Sequence, residues 1–435
     1  MRWYIGAILI LAISLALGLS LLAYAMYALL AVMLLNRFLA RNWIEQLSAE
    51  RSTNQQTADV GDIVSVAVEV KNSGKMTVGW VLIEDLLPRS ALRFDPPALQ
   101  IHNKRLKLAK IEGNSKVRMD YQLECNRRGY YQIGPTVLET GDLFGLHRRY
   151  KVGSEPSYLL VYPEVVPIEG YDIATARPIG EIRLTHRMFE DPTRIAGVRE
   201  YMAGDALNRI SWRATARTGE LQSKVYQPSC IAGATILLDF HKDSFKPENE
   251  PFRSEIAITA AASLANAVYQ MGQQVGLVTN CRDAADRIRT EGWDRDYRSR
   301  EAAQEAAGMQ DESDRLRPVI VQTRRGPEQF QSILENLARA ELSDGLTLPQ
   351  LVLETEGRMP RDASVIAIIS SLTAEAALAL SELHRRGFAV TAVLNTYEQH
   401  DYATMAGRML AEGIRSRHVK SKESIAMICG RQMVA

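Results

Sequence analysis

Apolar positions along the chain follow three successive rhythms. From Trp3 to Leu35 no side chain is charged. As a single helix such a run would extend about 50 Å, well past the roughly 30 Å of a bilayer's hydrocarbon core. It therefore predicts either one strongly tilted span or a tight hairpin of two short ones turning between Gly18 and Ser20. A removable leader is the competing reading, because Ala23-Tyr24-Ala25 resembles a small-residue cleavage site behind Arg2. Cleavage there would leave a second apolar stretch, Met26 to Leu35, at the new terminus. Arg37, Arg41 and Arg51 crowd the far end of the run, whereas Arg2 alone precedes it, so the residues beyond are expected on the cytoplasmic side. Trp3, Tyr4 and Trp43 stand where interfacial aromatic anchors sit.

After a polar connector, Ser48 to Asp59, the period drops to two. Ile63 to Val70 reads as a strand, Asn72-Ser73-Gly74 as a turn and Val78 to Ile83 as the returning strand. The cleanest alternation sets Val117, Met119, Tyr121, Leu123 and Cys125 against Arg118, Asp120, Gln122 and Glu124, one face buried and one wet. With turns at Gly113-Asn114, Gly134-Pro135 and Gly141-Asp142, these strands predict an immunoglobulin-like β-sandwich from about Thr57 to Tyr162. Such a module is expected to act as a spacer lifting the next domain off the membrane, with direct binding of a partner as the alternative.

Beyond Ser229 strands alternate with helices. Strands are expected at Ala234–Asp239, Val275–Thr279, Val365–Ser370 and Ala389–Leu394, with helices at Glu255–Met271, Thr373–Arg386 and Ala403–Glu412. Repeated βα units imply a doubly wound, mainly parallel sheet covered on both faces. The charged stretch Arg282 to Arg317 reads as an exposed insertion. In open parallel sheets ligands collect at the carboxyl ends of strands, which directs attention to Asp239.

Between these halves lies Arg199 to Pro228, dense in arginine. Gly204 and Asp205 predict a helix start and Gly219 its stop, with Leu207, Ile210 and Ala214 on one side and Arg209, Arg213 and Arg217 on another. Three cations at that spacing need solvent, paired acids such as Glu200, Asp205 or Glu220, or an anionic partner, a lipid head group included. The string Arg199, Tyr201, Gly204, Asp205, Arg209, Ile210, Trp212, Ala216 and Arg217 closely resembles the signature of the "domain of unknown function 58" family of bacterial and archaeal membrane-associated proteins. Arg127 to Tyr150 resembles the same family.

That resemblance implies a two-span membrane hairpin and a von Willebrand A-like domain, so the expected organisation is the hairpin at residues 1–50, the β-sandwich at 51–165, a connector at 166–232 and the von Willebrand A-like domain at 233–435. It also implies a MoxR-type AAA+ ATPase as partner. An intact metal-ion-dependent adhesion site of the von Willebrand A fold has hydroxyls two and four positions after the strand-end aspartate; here those positions hold His241 and Asp243, and Ser244 comes one later. Asp239 could be satisfied by protein donors alone, hold magnesium with Asp243 and Ser244, or join His241 and Asp243 around a transition metal. Ser370 or Ser371 stands where the second aspartate would be, and Lys242 places a cation beside the loop.

A net charge of +1 argues against broad nucleic-acid binding. Cys125, Cys230, Cys281 and Cys429 have no paired spacing, so neither a zinc site nor a disulfide framework is expected. No phosphate loop, serine elbow or helical two-histidine motif is present. The expectation is a non-enzymatic adaptor tethered to the inner membrane, its soluble part in the cytoplasm, working with the ATPase on a client protein. The alternative is a metal-dependent enzyme or metal-regulated receptor built on Asp239.

Overall fold

Two apolar helices lead the chain, α1 (Arg2–Ala16) and α2 (Ser20–Glu45). Gly18 turns between them at φ +67°, a conformation that costs a glycine little, and the Leu19 amide donates to the Ser14 carbonyl at 2.9 Å. In this computed structural model the described residues are 2–141, 148–168, 190–202, 210–228, 233–291, 316–360 and 363–428. The bend falls where the sequence places it, but the two helices are unequal. α2, with 26 residues, is long and apolar enough to cross a bilayer by length and composition. The 15 residues of α1 reach only about 22 Å, short of the hydrocarbon core.

The next strands are β1 (Leu47–Thr53), β2 (Thr57–Ala58), β3 (Ile63–Asn72), β4 (Val78–Asp85), β5 (Leu99–His102) and β6 (Leu106–Ile111), with the short helix α3 (Arg89–Leu92) after β4. β7 (Lys116–Cys125), β8 (Gly129–Ile133), β9 (Thr136–Gly141), β10 (Arg148–Ser154) and β11 (Ser157–Val161) follow. They form sheets ordered β1-β3-β7-β5, β10-β9-β4-β6 and β2-β11-β8. Val64, Val66, Val68 and Val70 of β3 and Met119, Tyr121 and Leu123 of β7 share one core with Val81 and Ile83 of β4 and Leu138 of β9.

Two expectations fail here. β4 does not return along β3: β3 pairs with β1 and β7, while β4 pairs with β6 and β9 in another sheet. Ser48 to Thr53 is no connector but strand β1, antiparallel to β3 from Leu47↔Asn72 to Thr53↔Val66. Its polar look comes from Arg51, which lies buried rather than at a membrane surface. The Arg51 guanidinium grips Asp85 through Nη2 (2.7 Å to Oδ1) and Nε (3.0 Å to Oδ2). Tyr121 donates its hydroxyl to Asp85 Oδ2 at 2.6 Å and Thr136 donates to Oδ1 at 2.8 Å. Burial, then the Asp85 charge, raises the Tyr121 phenol well above its ordinary pKa, so it stays a donor.

The remaining chain holds β12 (Glu190–Glu200), α4 (Trp212–Thr218), β13 (Gln222–Pro228), β14 (Gly233–Leu238), α5 (Phe252–Gln270), β15 (Gln274–Thr279), β16 (Arg282–Asp283) and α6 (Ala284–Glu291). Then come β17 (Val319–Arg324), α7 (Pro327–Arg339), β18 (Ala340–Glu341), α8 (Leu348–Thr355), β19 (Ser364–Ile369), α9 (Ala374–Arg385), β20 (Ala389–Asn395), α10 (Gln399–Ala411), β21 (Arg415–Val419) and α11 (Lys422–Ala426). By contacts the chain divides into one unit of Met1–Glu164, Arg282–Asp314 and Leu334–Glu341, and a second of Val165–Cys281, Arg315–Ile333 and Leu342–Ala435.

The second unit is built on a six-stranded sheet, β17-β15-β14-β19-β20-β21. β14 pairs in parallel with β15 and β19, and β19, β20 and β21 continue in parallel, while β17 runs antiparallel at the edge. Every residue of β14 and β19 is buried, which explains their unbroken apolar sequence. Val365, Ala367 and Ile369 join a cluster with Leu351 of α8, Leu380 of α9 and Met409 of α10. The charged insertion is described only to Glu291, as β16 and α6; residues 292–315 lie outside the described residues.

Candidate functional site

The parallel strands all finish at one edge. Leu238 ends β14 and Asp239 follows it, Asn280 follows β15, and Ser370 follows β19. Asp239, 2% exposed, accepts from the Ser244 hydroxyl on Oδ2 (2.6 Å) and from Asn280 Nδ2 (3.0 Å) and the His241 amide (3.3 Å) on Oδ1. Asn280 also donates to the Leu346 carbonyl at 2.8 Å and accepts from the Phe240 amide at 2.6 Å. Burial pushes the Asp239 carboxyl above its ordinary pKa, while bonds from Ser244, Asn280 and His241 pull it the other way.

Of the residues expected to hold magnesium, Asp239 and Ser244 meet, and Asp243 stays at the surface with its side chain 78% exposed. The Asp243 backbone amide donates to His241 Nδ1 at 3.2 Å, occupying that nitrogen. The groups facing the carboxylate are N–H and O–H donors, an arrangement that satisfies a buried anion. Magnesium asks for near-octahedral oxygen ligands, and among the described residues no group of three or more His, Cys, Asp or Glu is placed to hold a metal. As arranged, these side chains do not fit that ion. No motif in the sequence marks Asn280, although its place directly after the apolar strand ending at Thr279 is a signal.

The arginine-rich stretch folds differently from expectation. Gly204, Asp205 and Arg209 lie outside the described residues. Ile210 bridges to Ser223 and the Ser211 amide donates to the Gln222 carbonyl at 2.7 Å, so Ile210 is extended and the helix begins only at Trp212. Pairing with the neighbouring strand satisfies these backbone groups, leaving a seven-residue helix. It stops, as expected, at Gly219, in left-handed conformation with φ 80°. β12 and β13 form an antiparallel ribbon in which Arg199 faces Ser223 and Glu200 faces Gln222, and the Tyr201 amide donates to the Leu221 carbonyl at 2.9 Å. Trp212 is 69% and Met202 66% exposed; Val198, Leu221, Arg213 and Arg217 are exposed as well.

Cys125 and Cys281 are buried, and burial pushes the Cys125 thiol up to about 11, leaving it protonated at neutral pH. Cys230 and Cys429 lie outside the described residues.

His418 of β21 stacks on Tyr402 with ring centroids 4.2 Å apart and its Nε2 lies 2.9 Å from the Thr396 carbonyl. Burial lowers its pKa below 6.5; the Thr396 carbonyl opposes this, and the Arg253 and Lys420 charges add to it. The unfolded chain therefore takes up this proton first, and the stabilisation present above pH 6.5 is lost as pH falls through the folded value. His418→Gln is expected to flatten the stability profile between about pH 7 and pH 5. Denaturant unfolding at stepped pH reads this, and an unchanged slope contradicts it.

The chain is thus a mixed α/β protein with an N-terminal apolar helix able to span a bilayer. Residues 197–298 match the family described as "Protein of unknown function DUF58". It is 24% identical over 260 residues to the uncharacterized protein YeaD of Bacillus subtilis (strain 168), a match covering 59% of this chain and 61% of that protein. Among solved structures, the CARDB domain of PF1109 from Pyrococcus furiosus shows 12% identity and a TM-score of 0.19, over 26% of this chain and 86% of that one. Proximal thread matrix protein 1 from the mussel byssus shows 11% identity and a TM-score of 0.29, over 46% of each chain. Scores this low assign no fold.

Proposed function

We propose that the chain is a membrane-tethered adaptor that docks a cytoplasmic protein partner, a MoxR-type AAA+ ATPase by the family resemblance, for assembly or maturation of a client. The observation that carries this reading is the exposure of Trp212, adjacent in sequence to the exposed Arg213, and of Met202, within the region that matches the family. Tryptophan is enriched among the residues that anchor contacts with another protein. We read the first unit as immunoglobulin-like, supported by two four-stranded sheets around one core, and the second as von Willebrand A-like, supported by five parallel strands and an antiparallel edge. The domain limits 51–165, 166–232 and 233–435 belong to the same reading.

A cytoplasmic placement of both units rests on Arg37 and Arg41 beside the apolar run. Arg51 no longer counts, because Asp85 neutralises it.

Affinity purification of the full chain after gentle solubilisation should recover the ATPase. The double variant Trp212→Ala, Met202→Ser should lose it while keeping Tm within about 2 °C. Repeated recovery of the chain alone, or undiminished recovery with the variant, would contradict the reading. A metal-dependent receptor or enzyme at Asp239 is the second reading, favoured by the meeting of Asp239 and Ser244 at a strand end. It requires Ser244 and Asn280 to turn away from the carboxylate, and a stoichiometric metal lost with Asp239→Ala would establish it.

A further inference from the structure

The carboxyl edge of the sheet carries a second polar cluster, beyond β19, β20 and β21, built around an arginine that has no acid among the described residues. Arg253, at the start of α5, is 5% exposed. Its Nη1 donates to Asn395 Oδ1 (3.3 Å) and to the Lys420 carbonyl (2.9 Å), whereas Nη2 is buried without a hydrogen-bond partner among the described residues. Asn395, ending β20, is fixed in turn by donating Nδ2 to the Arg253 carbonyl (2.9 Å) and to Ser370 Oγ (3.0 Å). The exposed Tyr397 ring lies over the guanidinium, 5.3 Å from Cζ to the centroid, and the Lys420 ammonium approaches the same ring at 5.5 Å.

A buried guanidinium normally sits against a carboxylate, since an uncompensated charge away from water is costly. Among the described residues neither Arg253 nor Lys420 makes an ion pair. Aromatic contact offsets part of the cost, but it supplies no acceptor for Nη2. Two cations therefore converge where parallel strands end, the crevice in which open α/β sheets collect ligands.

We propose that this crevice binds a small oxyanion, phosphate or carboxylate, which accepts from Arg253 Nη2 and the Lys420 ammonium once the Tyr397 ring moves aside. Arginine's planar fork suits either anion. The site shares no residue with the exposed ribbon and does not depend on the adaptor reading.

The test uses the full chain in detergent micelles, titrated with inorganic phosphate or acetate against chloride at matched ionic strength, with thermal unfolding and calorimetry as readouts. One of the two anions is expected to bind saturably and to raise Tm by about 5 °C at about 100 times its Kd. A preference for phosphate identifies a phosphoryl ligand, and one for acetate a carboxylate ligand. Arg253→Gln should abolish the shift. Because that variant could fail to fold, the surface variant Lys420→Gln provides a second measurement and should weaken binding several-fold. A rise that never saturates, or saturable binding unchanged in Lys420→Gln, would overturn the proposal and leave Nη2 to water.

Discussion

Asp85→Ala is expected to lower the unfolding free energy by about 3–5 kcal/mol, because it strands a buried guanidinium. Both partners are inaccessible, with side-chain exposures of 3% for Arg51 and 0% for Asp85. Arg51 also donates to the Ile133 carbonyl (2.8 Å) and the Glu155 carbonyl (3.0 Å), so it joins β1 to segments far along the chain. Asp85 in turn orients Tyr121 and Thr136, and its loss leaves both hydroxyls without their acceptor. Arg51→Met should cost a similar amount, and the double variant Arg51→Met, Asp85→Ala clearly less than the sum, since the second change removes the charge left alone by the first. Urea unfolding of the full chain in micelles, followed by fluorescence, measures all three. Additive effects would mean that the pair does not act as a unit.

Asn280→Ala should be nearly as damaging to the second unit, at about 3–5 kcal/mol. One side-chain amide serves three buried groups there: it donates to Asp239 and Leu346 and accepts from Phe240. Alanine leaves the carboxylate with Ser244 and the His241 amide alone, and orphans two backbone groups as well. Asn280→Asp should do at least as much harm by setting a second carboxylate against Asp239. Pulsed proteolysis with a cleavage site resolved to this unit gives the measurement, and a loss below about 1 kcal/mol would show that water takes over all three roles.

The parallel sheet was readable because burial on both faces leaves continuous apolar runs, and β14, β15, β19 and β20 all lie within a residue or two of where those runs place them. What escaped depended on distant partners. Arg51 looked like a flanking membrane charge because nothing near it in sequence announces Asp85, 34 positions away. With that arginine counted as exposed, the alternation of β1 vanished and the strand passed for a connector. The return of β4 along β3 failed for a related reason: a turn signal marks a reversal of the chain, but not which strand becomes the neighbour. At the sheet edge Asp239 was legible as an acid closing an apolar run. Arg253 was not, since one arginine at a helix start carries no sign that it will be buried with carbonyl and amide oxygens as its acceptors.

The joint between α2 and β1 has a mechanical consequence. Gln46 alone separates the two elements, and Trp43 and Ile44 of the helix are already embedded in the core of the first unit. There is no slack to swivel on. Wherever α2 rests in a lipid leaflet, its tilt and rotation set the attitude of the β-strands directly, so this unit rides on its anchor like a blade on a shaft and cannot roam at the end of a leash.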